Sequence, residues 1–254
     1  MGDMDLAEKM IKSASHSGAS YAKFQTWSTS RLKSGEWDND GRRQIYEKAE
    51  LSFEDHEYLI DVCRKYNIQF LSSCFSVEDA QLLKKLNQTK IKIPSMEIRN
   101  HKLIEYCIDE FDYLFISTGT ANKEDLENLQ RILGNKKSTV MHCVSSYPCN
   151  PENANLPRIK LLYEMFDNVG YSDHVLGINA SIGSLEFKAS YIEKHFTIDN
   201  NLPGRDNKFA ILPKQLLELT NYIKNRKLFQ KNHGINFQEC ETGTRIEYSG
   251  RFSN

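Results

Sequence analysis

The stretch YIEKHFTIDNNLPGRDN, residues 191–207, opens with the β-branched and aromatic residues of a strand and ends in a turn-rich loop. Inside it a carboxylate, an ammonium and an imidazole, Glu193, Lys194 and His195, stand where a core strand would carry Val, Ile or Leu. A second imidazole, His174, follows another short strand pattern in GYSDH. Two histidines at neighbouring strand ends suit a divalent metal that keeps positions open for substrate or water. Neither His-x-His nor HExxH occurs, so spacing alone leaves structural and acid–base roles open for the pair. Alternation along the strands adds further groups. Lys23 and Gln25 share one face of YAKFQT, Lys92 opposes Ile91 and Ile93 in KIKIP, and Glu193 and His195 oppose Ile192 and Phe196. Lys194 falls on the apolar face, and the spacing gives no account of it.

Hydroxyls collect at the same ends: Ser72, Ser73, Ser95, Ser117, Thr118, Ser145, Ser146 and Ser172 all lie at or just beyond strand termini. Each alone is an ordinary turn or capping residue. Together with Lys23 and Lys92 they form a plausible cradle for phosphate and carboxylate, which call for hydroxyl donors and ammonium groups. Burying lysine or glutamate unpaired costs several kcal/mol. An internal Lys92–Glu193 ion pair therefore competes with the reading of Lys92 as an anion anchor.

These residues need a scaffold that gathers strand ends. Strand patterns occur at 21–26, 69–75, 90–94, 113–118, 138–144, 168–172 and 191–197. Helix patterns occur at 5–17, 53–66, 77–86, 100–108, 123–133, 156–166, 177–187 and 214–226. In SFEDHEYLIDVC, Ser52 is placed as an N-cap ahead of acidic residues that favour the positive end of the helix dipole. Alternation of this kind gives a parallel sheet. Seven strand patterns and eight helix patterns fit an α/β (β/α)8 TIM-type barrel with its first strand absent, spanning 1–228; an open doubly wound sheet is the alternative. Residues 229–254 carry no sustained period and read as an extended tail or linker.

Composition narrows the class. The 254 residues suffice for one large domain, and a net charge of −1 with interspersed signs carries no nucleic-acid signature. No run reaches the ~18 apolar residues of a membrane span, and the N-terminus lacks a signal-peptide core. Six cysteines without a CxxC pair suit a reducing cytoplasm.

The chain resembles the sialic acid synthases, the family of N-acetylneuraminate, legionaminic and pseudaminic acid synthases. The stretches that carry the resemblance are GDMDLAEKMIKSASHSGASYAKFQT, ELSFEDHEYLIDVCRKYNIQFLSSCF, KIPSMEIRN, FISTGTA, MHCVSSYPCNPENANL, VGYSDHVLGI and IEKHFTIDNNLPGRDNKFAILP. The resemblance implies condensation of phosphoenolpyruvate with an N-acylated amino sugar, N-acetylmannosamine or a bacterial diacetamido hexose, to a nonulosonic acid and phosphate. It implies a divalent metal, Mn2+ or Mg2+, on His174 and His195. It places phosphoenolpyruvate on Lys23, Ser73, Lys92, Ser95, Ser117, Ser145 and Ser172, and the sugar on Gln25, Glu97, Tyr147 and Asp206. Glu97 is the candidate for handling the attacking water's proton, with Lys92 stabilising phosphate charge. The resemblance implies a barrel followed by an antifreeze-like domain that reaches over the partner's barrel, and so a homodimer for the full-length enzyme. At Ser145 the family commonly has Asn. Its EIGxNHxG-like first strand and the antifreeze-like domain have no counterpart in this sequence, so little synthase activity is expected of the chain as written.

Two rival functions remain. A lysine aldolase would use Lys23, Lys92 or Lys194 as a Schiff-base nucleophile. A non-catalytic barrel fragment would only bind or scaffold. The segment 31–43, with Trp37, Arg42 and Arg43, reads as a lid over the barrel mouth.

Overall fold

The computed structural model describes residues 2–252, so Met1, Ser253 and Asn254 at the outer limits of the expected barrel and tail lie outside it. Seven parallel strands form one sheet in sequence order, β1 (Tyr21–Thr26), β2 (Gln69–Cys74), β3 (Lys90–Ile93), β4 (Tyr113–Ser117), β5 (Ser138–Cys143), β6 (Val169–Asp173) and β7 (Ile192–Lys194). Consecutive parallel strands in this order, each crossover passing over the same face, curl the sheet into a TIM-type barrel lacking one strand. The open doubly wound alternative would have reversed the strand order partway, and it does not.

Ten helices accompany the sheet among the described residues: α1 (Met4–His16), α2 (Arg42–Ala49), α3 (Phe53–Lys65), α4 (Val77–Lys85), α5 (His101–Glu110), α6 (Lys123–Leu133), α7 (Arg158–Tyr163), α8 (Asn179–Ser184), α9 (Pro213–Phe229) and α10 (Thr242–Tyr248). Ser52 caps α3 as the sequence suggests, and Ser76 and Asn122 do the same for α4 and α6. Ser52, Ser76 and Asn122 each accept a backbone N–H three residues on, in front of acidic first turns. α2 was not expected. It lacks any buried residue, so no apolar stripe announces it. α10 and its preceding turn lie in the 229–254 stretch, where every described residue is exposed.

The two faces of the strands bury different chemistry. The outer face carries Phe70, Ile91, Ile93, Leu114, Ile116, Val140 and Val169 against Leu59, Leu83, Leu103, Ile104, Leu129 and Ile159 of the helices. The inner face is layered. Its lower layer is an aromatic plug in which the Phe115 ring lies 5.7 Å from Tyr21, 5.1 Å from Tyr113 and 5.0 Å from Tyr191, packed with Leu71 and Met141. Gly170 makes room for the plug, since a Cβ there would stand 2.9 Å from the Tyr191 carbonyl oxygen. Two residues further along each strand, toward the C-terminal ends, the inner face becomes polar.

β7 is shorter than its sequence pattern. After Lys194 the chain leaves the β6 ladder, and the His195 carbonyl accepts from the Ile211 N–H at 2.8 Å while the Thr197 N–H donates to the Ile211 carbonyl at 3.1 Å. His195 therefore sits at the start of a loop folded back on itself. Asn200 donates to the Asn207 and Ala210 carbonyls, and Asn207 donates to those of Leu202 and Pro203.

Candidate functional site

The polar inner layer is made by strand register. Ser73 pairs with both Gln25 and Lys92, Ser117 with Met141, Cys143 with Ser172, and Ser172 with Glu193. At its centre Lys92, only 2% exposed, donates to Ser117 Oγ at 2.7 Å and to Glu193 Oε2 at 2.9 Å. Lys23 Nζ lies 3.8 Å from Glu193 Oε1, and Ser172 Oγ donates to that oxygen at 3.1 Å. The Lys92–Glu193 pair foreseen as the competing arrangement is thus formed, and it brings in Lys23 as a third member. Burial alone would raise the Glu193 pKa, but the ammonium groups of Lys23 and Lys92 outweigh it and hold the carboxyl far below its usual range. Burial likewise pushes the Lys23 ammonium below its ordinary value, assisted by Lys92 and opposed by Glu193. One carboxylate between two ammonium groups leaves the layer with net positive charge.

Of the hydroxyls, Ser73, Ser95, Ser117 and Ser172 are buried around this cluster. Ser95 Oγ accepts the Gly119 N–H at 3.0 Å, and a Cβ on Gly119 would collide with the hydroxyls of Ser95 and Ser145. Gly119 thus closes the hydroxyl rim and sets its width, a role its place in FISTGTA does not disclose. Ser145 is exposed at the rim, and Gln25 is exposed at the end of β1. Ser72 and Thr118 face elsewhere. Ser72 Oγ is 2.7 Å from Thr26 Oγ1 on the helix side, Thr118 donates to the Met141 carbonyl, and exposed Ser146 donates to the Pro148 carbonyl. The half-buried Glu97 accepts from the Asn100 side-chain amide at 2.8 Å.

The two imidazoles come together as their strand ends require, with His174 and His195 ring centroids 5.4 Å apart. His174 Nδ1 is 2.8 Å from the Val144 carbonyl, which fixes the tautomer with Nδ1 protonated and leaves Nε2 with its lone pair. Burial disfavours charge on His174, yet the Cys143 thiol and the Val144 carbonyl outweigh it and raise its pKa. His195 is held down to about 3 by burial and by the neighbouring Lys23 and His174, so it is neutral at physiological pH. Its contact with Asp206, 3.4 Å from Nδ1 to Oδ2, is therefore not a charged pair. The Tyr147 ring lies tilted against His174 at 4.2 Å between centroids, and burial pushes its hydroxyl up to about 12. Two facing imidazoles, His195 neutral and His174 oriented by a carbonyl with Nε2 turned away from it, fit a divalent cation that keeps other positions for water or substrate. Among the described residues no group of three or more His, Cys, Asp and Glu side chains is placed to hold a metal ion, so the two imidazoles would be the side-chain ligands.

The segment read as a lid is internally tied. Arg43 Nε donates to Asp38 at 2.5 Å, Arg42 Nε to Asp40 at 2.7 Å, and Trp37 Nε1 to the Lys33 carbonyl at 2.7 Å. Arg42 and Arg43 thus have local partners, while Arg31 pairs outside the segment with the buried Asp79 of α4. No helix among the described residues is long and apolar enough to cross a membrane.

Known proteins resemble this chain in sequence and fold. A profile described as the NeuB family matches residues 10–234. The N,N'-diacetyllegionaminic acid synthase of Campylobacter jejuni is 34% identical over 240 residues, spanning 88% of this chain and 72% of its own length. The pseudaminic acid synthase of Helicobacter pylori is 34% identical over 224 residues, 82% of this chain and 66% of its own. Among solved structures, the N-acetylneuraminic acid synthetase of Leptospira borgpetersenii superposes with a TM-score of 0.86 at 30% identity, covering 99% of this chain and 88% of that one. A Thermotoga maritima DAHP synthase, at 13% identity and a TM-score of 0.72 over 90% of this chain and 66% of that one, shares the fold.

Proposed function

Because the chain belongs to the NeuB family, whose similar members are named as nonulosonic acid synthases, we propose that its strand-end layer joins phosphoenolpyruvate to an N-acylated amino sugar. The observation that carries this reading is the Lys23–Glu193–Lys92 cluster, ringed by Ser73, Ser95, Ser117 and Ser172 and bordered by His174 and His195. Such a layer matches a small substrate bearing both phosphate and carboxylate, with the imidazoles beside it for the carbonyl of a second substrate.

In the reaction, the methylene carbon of phosphoenolpyruvate forms a bond to the aldehyde carbon of the open-chain sugar, whose carbonyl oxygen becomes a hydroxyl. Water adds to the cationic C2 left behind, losing a proton. Phosphate then departs with cleavage of the carbon–oxygen bond, giving a 2-keto acid. Lys23 and Lys92 hold the anion and oppose the charge that grows on the leaving phosphate. The hydroxyl rim fixes its orientation, and Glu193 sets the distance between the two ammonium groups. Glu97 takes the water's proton, and Asp206 and Tyr147 border the sugar. A divalent ion held by His174 and His195 would supply Lewis-acid polarisation of the aldehyde.

Phosphoenolpyruvate binding, followed by calorimetry and by the 31P shift, tests the reading. Binding that Lys92→Met and Lys23→Met each weaken at least tenfold supports it; no binding, or binding indifferent to both changes, refutes it. One observation favours the aldolase alternative: the depressed Lys23 pKa, which leaves more free amine. Borohydride in the presence of pyruvate and an aldehyde should leave Lys23 unmodified, and a trapped adduct there would favour the aldolase.

A further inference from the structure

Lys194 lies between Glu193 and His195 but points to the other side of β7, into the layer between sheet and helices. There its Nζ stands 3.3 Å from Asp173 Oδ2 and donates to the Val175 carbonyl at 2.5 Å, with the two side chains 5% and 0% exposed. Asp173 is its register partner on β6. The Asp173 carboxylate also accepts from Ser181 Oγ of α8 at 2.6 Å, from the Val175 N–H at 2.8 Å and from Tyr171 Oη at 3.2 Å. Both backbone polar groups of Val175 are therefore taken by this pair, and the His174 carbonyl is taken by the Cys149 N–H at 2.9 Å.

Stability does not explain the choice of residues. Two aliphatic side chains could fill such a site without desolvating two charges, and replacing buried ion pairs this way is often neutral or stabilising. What a charged pair adds is fixed geometry. Asp173 immediately precedes His174 and Lys194 immediately precedes His195, so the pair ties the two strand ends at the residues next to the imidazoles.

We propose that Lys194 and Asp173 are positioning residues that hold His174 and His195 at the separation and orientation needed to share one divalent cation. This rests on the assignment of the two imidazoles as metal ligands. The pair acts from behind the strands and touches neither substrate nor cation.

The test is Mn2+ titration of the substrate-free chain, read from the paramagnetic resonance signal of free Mn2+, with melting temperature measured in parallel. Lys194→Met should weaken Mn2+ binding about 10-fold to 100-fold, the range for residues that orient ligands from behind. It should leave phosphoenolpyruvate affinity within about twofold. The double variant Lys194→Met, Asp173→Asn removes both charges. It should recover most of the melting temperature while Mn2+ binding stays weak, a split that a purely structural pair would not produce. Recovery of both, or wild-type Mn2+ affinity in Lys194→Met, overturns the proposal. Should the lysine variants fail to fold, Ser181→Ala removes one hydrogen bond to Asp173; weaker Mn2+ binding there supports the proposal and unchanged binding overturns it. A wild-type chain that binds no Mn2+ defeats the ligand assignment itself, and the positioning role with it.

Discussion

Replacing Glu193 by Gln separates an anion site from a structural ion pair, because the two predict opposite changes in ligand affinity. Glutamine keeps the shape but removes the charge that faces Lys92 at 2.9 Å and Lys23 at 3.8 Å. Removing one member of a fully buried pair costs about 3–5 kcal/mol. Glu193 is 23% exposed, and Lys92 keeps its bond to Ser117, so a loss of about 2 kcal/mol is expected. For a chain of this size that lowers the melting temperature by about 4–8 °C. The sign of the pH dependence follows from the depressed Glu193 pKa. Its stabilisation is present above the unfolded carboxyl value of about 4.3 and is lost as pH falls toward the folded value. The gap between variant and wild type should therefore close on acidification below pH 4. Ligand affinity should move the other way. An anion on the same ammonium groups would lie about 6 Å from the Glu193 carboxylate, where like charges repel by about 3 kcal/mol at an effective dielectric of 20. Half of that, after relaxation and screening, makes phosphoenolpyruvate bind about tenfold more tightly to Glu193→Gln. Calorimetric titration at fixed ionic strength measures this, and thermal melts with and without ligand check it. A destabilised variant with unchanged or weaker affinity would show that the ammonium groups serve only the ion pair.

Gly119→Ala should displace the Ser95 and Ser145 hydroxyls and weaken phosphoenolpyruvate binding by about 1–2 kcal/mol with near-normal melting, since one lost neutral hydrogen bond is of that order; calorimetry decides it. His174→Ala or His195→Ala should abolish Mn2+ binding while preserving far-ultraviolet dichroism, and full activity of His195→Ala in the presence of chelator would refute the ligand assignment. His56 and His142 are both buried and held below the ordinary imidazole pKa, chiefly by burial. Stability should therefore fall as pH drops below the unfolded value of about 6.5, and His56→Gln with His142→Gln should flatten that limb in urea melts.

Much of this site was legible in the alternation of the strands, because a period of two sorts side chains onto faces without knowledge of the fold. Lys23, Lys92, Glu193 and His195 were placed on the inner face that way, and Ser73, Ser95, Ser117 and Ser172 gather there with them, whereas Ser72, Thr118 and Ser146 turn elsewhere. Alternation could not say which charged groups would meet across the barrel, so Glu193 was legible as an inward carboxylate but not as the hub of two lysines. Lys194 was opaque for a related reason. Its partner Asp173 lies 21 residues earlier, and only register on a neighbouring strand brings them together. Gly119 left no signal at all, since steric closeness to two hydroxyls has no periodicity. Helix α2 buries no residue, and its eight residues, mostly polar, carry too few apolar side chains to announce a stripe. The loop after His195 is held by asparagine side chains bonding backbone carbonyls, a pattern read in sequence only as turn-forming composition.

The proposed chemistry differs from phosphoryl transfer or simple hydrolysis in which bond to the bridging oxygen breaks, and an isotope reads that bond directly. Phosphoenolpyruvate carrying 18O at the bridging position should be incubated with Mn2+, an N-acylated amino sugar and the chain, and the accumulated phosphate analysed by mass spectrometry. Condensation with carbon–oxygen cleavage puts the label in the released phosphate, only when sugar is present, and Lys92→Met suppresses it. Phosphate that lacks the label, or labelled phosphate released equally without sugar, would contradict the account.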